Sequence, residues 1–420
     1  FATFMEIAAC DAFRPEWERW TSFGLERSVA FETDSLSATR PVEYEVRSPA
    51  DCEGMFDVLT YQKGGALLRM LEQYLGPDRF REGVSHYLRT HAHGNTETED
   101  LWDAIEHTSG EPVRRIMDSW IWQPGYPLVE ARSDGDELVL RQRRFAFDPE
   151  DASTSRWAIP IAVRQGDTTA TVLLDGDEAR LPLTGGPVVV NAGGHGFFRV
   201  AYADDLRARL TASAVEEMST LERYNLVDDA WNAVTARTLD AAEYLTLVER
   251  FGAEREYGVW QAIAIGLRAL RRLVIDDDAA LAAFEQRVTA LCEPVLTDLG
   301  PPVDGEPDLT AKLRGLLLGV VAVTGGDDGA RADARGIYAR WTADPSAVDA
   351  ELAAAATGVV AATGDADDYE RMLDQYRNGE TPQVQLRHLY LLAEFEGDAL
   401  MERTLQMAMG DEVKSQNAPF

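Results

Sequence analysis

The spacing of apolar residues changes twice along the chain and divides the sequence into three parts. From residue 1 to about 124, apolar residues recur every three or four positions, as Leu67 and Leu71 do, which is the spacing of an α-helix. From about 127 to 203 the period becomes two, which is typical of β-strands. From 204 onwards the helical spacing returns. The sequence therefore predicts a mainly α-helical protein with a small β-sandwich in its middle.

Local start and stop signals delimit the helices of the first part. A stripe of leucines ends at Gly76, which a proline follows, and this pair predicts the end of a helix. Thr96 or Thr98 can cap the next amphipathic helix, because a hydroxyl accepts a hydrogen bond from a backbone N–H of the first turn. Pro112 suits the first turn of one more helix.

A hairpin is the clearest feature of the middle part. Ile159, Ile161 and Val163 alternate with other residues and predict a strand. Gly166 lies in a predicted turn, after which residues 169–174 return as the partner strand. Further short strands are predicted at 138–143, 188–190 and 197–202.

The last part reads as consecutive amphipathic helices, with one apolar stripe at Leu309, Leu313 and Leu317 and breaks at Gly300 and Gly325. Helices of roughly 12 to 20 residues joined by short turns stack as antiparallel pairs, so a HEAT-like α-solenoid is predicted here. No strict sequence period accompanies it. We expect the solenoid to be truncated at the end of the chain.

The chain is strongly acidic, with 72 Asp and Glu against 40 Lys and Arg and a formal charge of −32. Such a surface repels nucleic acid and anionic lipid, so neither is an expected partner, and no apolar run predicts a membrane span. Only three of the basic residues are Lys. Dispersed acid with little Lys suits a protein from a salt-rich cell, and a GC-rich genome is the alternative explanation.

Three cysteines, Cys10, Cys52 and Cys292, are far apart and odd in number. They predict neither a disulfide framework nor a Cys-based zinc site, and a reducing cytoplasm is the simplest interpretation. We expect all three to be small buried apolar residues.

The motifs HExxH, GxSxG, GxGxxG and the Walker loop are absent from the sequence. His86, His91 and His93 form the densest His group, and their spacings of five and two residues could in principle supply metal ligands. We interpret His86 as part of a helix and the other two as flanking its exit. No metal site is predicted within the chain.

The segment from Phe56 to Gly64 reads FDVLTYQKG. This run resembles the pattern F-D-x-[IVL]-x-Y-x-K-G of the M1 family of zinc aminopeptidases. The resemblance implies that Tyr61 is catalytic and directs its hydroxyl at the tetrahedral intermediate of peptide hydrolysis, where an O–H donor stabilises negative charge. It also implies that Phe56 forms a wall of the S1 pocket, with core burial as the alternative.

The opening run from Phe1 to Glu6, FATFME, is similar to the segment that follows the third zinc ligand in that family. The resemblance implies one zinc ion, with the two His and the Glu that bind it, and the catalytic Glu, encoded upstream of Phe1. The chain alone is then expected to be inactive. Glu6 would lie about seven positions after the ligand Glu, close to two helical turns, on the same helix face. We therefore expect Glu6 to accept a hydrogen bond from a zinc-binding His, and Thr3 to border the site.

Further similarities, such as Tyr87 to Thr96 and Arg223 to Asp229, extend the resemblance over nearly the whole chain, with the tricorn-interacting-factor branch as the nearest in character. It implies three domains: the C-terminal helical half of a thermolysin-like catalytic domain at 1–124, a β-sandwich at 127–203, and a truncated HEAT-like domain at 204–420. The expected activity is release of N-terminal residues from peptide substrates. The alternative is a non-catalytic M1-like helical scaffold or peptide-binding protein.

Overall fold

The computed structural model describes residues 1–148 and 153–419. By contact density the chain divides into two compact units, Phe1–Arg250 and Phe251–Phe420. The prediction of a mainly helical protein with small sheets is confirmed. In the part of the chain that the structure describes, every helix is too short or too polar to cross a membrane.

The first unit begins with helices that surround a common apolar interior. They are α1 (Ala2–Phe13), α2 (Arg19–Glu26), α3 (Ser28–Asp34), α4 (Pro49–Glu53), α5 (Gly64–Leu75), α6 (Pro77–Thr90), α7 (Thr98–Ser109) and α8 (Val113–Ile121). A 3₁₀ turn, Pro15–Trp17, and a π-helical turn, Leu59–Lys63, lie between them. α5 ends at Leu75 with Gly76 as its cap, as the sequence predicts.

The predicted cap of α7 is wrong. Glu97, not Thr96 or Thr98, is the N-cap, and it forms a capping box with Asp100, whose Oδ2 accepts from the Glu97 backbone N–H at 2.8 Å. The Thr96 hydroxyl is 2.7 Å from the Tyr87 hydroxyl instead, so it is engaged away from the helix end. The Asp100 carboxylate satisfies the Glu97 backbone N–H at this helix start.

Seven strands in the described residues form two sheets: β1 (Pro127–Asp134), β2 (Glu137–Arg144), β3 (Ile159–Gln165), β4 (Thr168–Leu174), β5 (Glu178–Pro182), β6 (Val188–Val190) and β7 (Arg199–Tyr202). One sheet has the order β5-β2-β1-β7 and the other β4-β3-β6. β7 pairs in parallel with β1, and the remaining neighbours are antiparallel. The predicted hairpin of β3 and β4 is present, with Gly166 at φ +57° in its turn.

Helices and sheets of the first unit share one apolar core. Trp120, Tyr126, Trp157 and Phe197 are among its fully buried members. The indole N–H of Trp120 donates to the carbonyl of Ala158 at 3.0 Å. Because Ala158 directly precedes β3, this bond fixes α8 to the start of that strand. The helical segment and the sheets therefore depend on each other for burial.

The first unit continues with α9 (Asp204–Ala208), α10 (Ala212–Glu216), α11 (Thr220–Thr235) and α12 (Ala241–Val248). A buried ion cluster joins α11 to β7. Arg199 donates from Nη1 to Asp228 at 2.6 Å and to Asp229 at 3.0 Å, and from Nε to the Tyr126 hydroxyl at 3.1 Å. The backbone N–H of Val200 donates to the second oxygen of Asp229 at 2.9 Å. One guanidinium thus serves two carboxylates, and burial raises the pKa of Asp229 to about 7 although Arg199 opposes this shift.

The second unit is helical, with a π-helical turn at Val320–Thr324. Its longer helices are α13 (Tyr257–Val274), α14 (Asp278–Leu299), α15 (Asp308–Gly319), α16 (Asp328–Ala343), α17 (Ala350–Thr363), α18 (Ala366–Asn378), α19 (Pro382–Leu391) and α20 (Asp398–Met409). Leu309 is exposed in the first turn of α15, so the prediction that it belongs to the apolar stripe is wrong. Aspartates cap four of these helices through their side chains: Asp277, Asp327, Asp349 and Asp365.

The three cysteines are free thiols in different surroundings. Cys292 is buried in α14, Cys10 is half-buried, and Cys52 is exposed. The prediction that all three are buried is wrong for Cys52, because it lies in the short surface helix α4.

Candidate functional site

Tyr61 lies in the π-helical turn that leads directly into α5. Its side chain is 42% exposed, whereas Lys63, two residues later, is fully buried. Single π-helical turns are rare and frequently occur at functional sites. This turn presents an accessible hydroxyl from a backbone that is anchored on its other side.

Lys63 provides that anchor. Its Nζ donates to Asp34 Oδ2 at 2.7 Å and to the carbonyl of Gly125 at 3.0 Å. The other oxygen of Asp34 accepts from the Gly125 N–H at 2.9 Å and from the Thr39 hydroxyl at 2.7 Å. Burial lowers the pKa of Lys63, and the Asp34 carboxylate opposes that shift. The Tyr61 turn is thereby fixed to the end of α3 and to the loop that precedes β1.

Asp57 fixes the start of the same turn. Its Oδ1 accepts from the backbone N–H groups of Leu59 at 3.0 Å and Thr60 at 3.1 Å. Its own carbonyl accepts from the Tyr61 N–H at 3.1 Å. A carboxylate that satisfies the first donors of a helical segment stabilises that end. The backbone of Tyr61 is therefore held on both sides.

The opening helix α1 passes close to this region. A Cβ placed on Gly65, one turn after Tyr61, would lie 3.3 Å from Thr3 Cγ2 and 3.0 Å from Phe23 Cζ. Glycine at 65 thus permits α1 and α2 to approach α5. Glu6 is exposed on α1, three positions after Thr3 and so on a neighbouring part of the helix surface.

Phe56 is 74% exposed and follows α4. The alternative of core burial, which the sequence leaves open, does not hold for this ring. Its backbone N–H donates to the Glu53 carbonyl at 3.3 Å. An exposed aromatic ring five residues before Tyr61 is available to another molecule.

A cavity of about 760 Å³ borders the Tyr61 turn. Thr60 and Gly64, on either side of Tyr61, line it, and so do Phe1 and the segment from Val42 to Val46. The remainder of the lining is mostly aliphatic and polar, and it includes three aromatic residues, Tyr87, Trp102 and Trp122. Phe1 at the start of α1, the Tyr61 turn and the 42–46 segment therefore meet around this cavity.

Residues 1–148 and 153–419 contain no group of three His, Cys, Asp or Glu side chains that can hold a metal ion. Two of the three His residues of α6 and its exit pack against other rings: the ring of His86 is 5.0 Å from that of His107, and the ring of His91 is 5.5 Å from that of Tyr87. The described residues therefore do not by themselves fit a zinc site.

Sequence reasoning missed Asp34, which binds Lys63 and so fixes the turn that carries Tyr61. Lys63 carried a usable signal, because Leu59 and Leu67 lie four positions on either side of it and a Lys on such a helix face requires a carboxylate when it is buried. Its partner lies 29 positions away, and no local pattern marks Asp34.

Two family profiles match the chain. The profile "Peptidase family M1 domain" matches residues 1–120, and the profile "ERAP1-like C-terminal domain" matches residues 187–420. The chain belongs to the M1 aminopeptidase family.

Curated relatives agree with this assignment. "Aminopeptidase M1" of Arabidopsis thaliana is 30% identical over 447 residues, covering 100% of this chain and 51% of that protein. "Tricorn protease-interacting factor F2" of Thermoplasma volcanium is 33% identical over 322 residues, covering 76% of this chain and 39% of that protein. "Alanine/arginine aminopeptidase" of Saccharomyces cerevisiae is 28% identical and covers 99% of this chain and 50% of that protein. The chain thus spans about half the length of the relatives it matches, or less.

Proposed function

We propose that this chain is part of a metalloaminopeptidase that hydrolyses the N-terminal peptide bond of peptides, with Tyr61 stabilising the tetrahedral intermediate. Membership of the M1 family supports the reaction class. The observation that carries the assignment of Tyr61 is its exposed side chain on a π-helical turn that Lys63 and Asp57 fix from the inner side.

The chemistry requires a hydrogen-bond donor at this place. Attack of water on the scissile carbonyl leaves negative charge on the former carbonyl oxygen. A phenolic O–H that is already positioned stabilises this charge without reorganisation, and loss of one such donor costs about 2.7–4 kcal/mol of transition-state stabilisation. A rigid backbone under Tyr61 keeps the donor in place before substrate arrives.

The M1 family is zinc-dependent in general. Because the described residues do not fit a zinc site, we assign the zinc ligands and the catalytic Glu to residues of the full-length protein outside this chain. Glu6 is proposed to accept a hydrogen bond from a zinc-binding His, which orients that ring. Phe56 is proposed to contact the first side chain of the substrate.

We also propose the three-domain division at 1–124, 127–203 and 204–420. The two sheets contribute to one core, which supports a β-sandwich for the middle domain. The run of helices from α13 to α20 with short connections supports a HEAT-like arrangement for the last one. Free thiols at all three cysteines support a cytoplasmic setting.

Hydrolysis by the full-length protein tests this function. We expect it to release the first residue from peptides with a free N-terminus and not from N-acetylated ones, and to lose this activity in a metal chelator. The chain from Phe1 to Phe420 alone is expected to hold no stoichiometric zinc after dialysis. A full-length protein that binds peptides but hydrolyses none of them would instead support the non-catalytic scaffold.

A further inference from the structure

Arg40 makes the contacts that connect the Tyr61 turn to the wall of the 760 Å³ cavity. Its Nη2 donates to Asp57 Oδ1 at 2.6 Å and to the Thr60 hydroxyl at 2.9 Å. Its Nη1 donates to the carbonyls of Pro41 at 2.7 Å and Val42 at 3.2 Å. One guanidinium thus bridges four acceptors on two segments.

The Asp57 oxygen that Arg40 holds is the same atom that accepts from the Leu59 and Thr60 N–H groups. Asp57 in turn accepts the Tyr61 N–H through its carbonyl. A short chain of hydrogen bonds therefore leads from Arg40 through Asp57 to the backbone of Tyr61. The N–H donors of a guanidinium lie in one plane, so its hydrogen bonds fix the direction as well as the distance of the groups that accept them.

The other end of this bridge is also anchored. The Glu43 N–H donates to the carbonyl of Ile121 at 3.0 Å, at the end of α8. The Tyr44 hydroxyl donates to the Asp51 carbonyl at 2.8 Å, and the Arg40 guanidinium lies 5.1 Å from the centre of the Tyr44 ring. Arg40 consequently ties the Tyr61 turn to a segment that is itself fixed.

We propose that Arg40 is a positioning residue for Tyr61: through Asp57 it sets the orientation from which the phenolic hydroxyl meets the substrate. This inference rests on the proposed catalytic role of Tyr61. Arg40 itself contacts neither substrate nor reacting atoms. Loss of the Arg40 side chain leaves the Tyr61 hydroxyl present but allows the turn that carries it to move. Small misplacements of catalytic groups lower the reaction rate strongly.

A double-mutant cycle in the full-length protein tests the inference. Arg40→Ala is expected to lower kcat by about tenfold to a hundredfold with little change in KM, since the turn and not substrate binding is disturbed. In the Tyr61→Phe background the same change is expected to have little further effect on kcat, because there is no hydroxyl left to position. Arg47→Ala is the matched control, since Arg47 lies in the same segment but in an exposed pair with Glu45.

The outcomes separate the two proposals. If Arg40→Ala lowers kcat equally with and without the Tyr61 hydroxyl, or not at all, Arg40 does not position Tyr61, while the role of Tyr61 stands. If Tyr61→Phe alone retains full kcat, the catalytic proposal fails and the inference fails with it. Should Arg40→Ala not fold, Arg40→Lys is measured in the same cycle, because an ammonium keeps the charge but cannot bridge both segments.

Discussion

Lys63 Nζ lies 2.7 Å from Asp34 Oδ2, and both side chains are completely buried. The pair joins the turn that carries Tyr61 to the end of α3, and the Gly125 carbonyl and N–H complete it. Buried ion pairs of this kind add little net stability, but removal of one partner strands the other charge in the interior. Its value here is that it determines one position for the turn.

Loss of the lysine alone is expected to be severe. Lys63→Met should lower the free energy of unfolding by about 3–5 kcal/mol, because Asp34 remains buried without its counter-charge. Chemical denaturation, followed by a spectroscopic signal from the first unit, measures this free energy. Lys414→Met, at an exposed position, is the control. The double variant Lys63→Met with Asp34→Asn should recover part of the loss, since the amide keeps an acceptor for Gly125 without a charge. A single variant as stable as wild type would contradict the account.

The aspartate caps of the second unit predict a smaller effect. Asp327 accepts from the Ala330 N–H at 2.7 Å at the start of α16. Asp327→Ala should therefore cost about 1 kcal/mol of stability. Asp333→Ala, at an exposed position inside the same helix, removes an equal charge without a cap and should change stability far less. Equal effects of the two variants would mean that charge, not capping, matters.

His195 predicts a loss of stability in acid. Burial, with the nearby guanidinium groups of Arg69 and Arg27, lowers its pKa from 6.5 to about 3. Between these values the unfolded chain binds a proton that the folded chain does not bind, so stability falls as pH decreases from about 6.5 towards 3. His195→Asn should flatten this part of the pH–stability curve. His93→Asn, at an exposed loop position, is the control and should leave the curve unchanged.

Salt should stabilise the protein if its acidity reflects a salt-rich cell. The formal charge of −32 makes the folded chain repel itself, and added salt screens this repulsion. The melting temperature is therefore expected to rise between low and high KCl concentration. A flat or falling melting temperature in that titration would count against this interpretation.

Local patterns were sufficient for much of the fold. The end of α5 at Gly76 and the β3–β4 turn at Gly166 follow from the backbone preferences of glycine, which act over a few residues. The strand β1 was not predicted, since its second half, Glu-Ala-Arg-Ser-Asp, is mostly polar. It forms because β2 and β7 pair with it on both sides, and that information is not local.

The candidate site shows the same limit. Tyr61 and Phe56 could be proposed because they occur in one short recognisable run. The side chains that fix the run, Asp34 and Arg40, lie 29 and 17 positions from their partners and carry no motif of their own. Buried pairs between distant segments are determined by packing, which sequence spacing does not reveal.

The turnover number of Tyr61→Phe in the full-length protein tests the central proposal most directly. Removal of the hydroxyl should lower kcat by about a hundredfold to a thousandfold while zinc content and KM stay close to wild type. Tyr390→Phe, which removes a hydroxyl from a tyrosine that is 37% exposed in the second unit, should leave kcat unchanged. A Tyr61→Phe protein that folds, binds zinc and turns over at the wild-type rate would contradict the catalytic role of Tyr61.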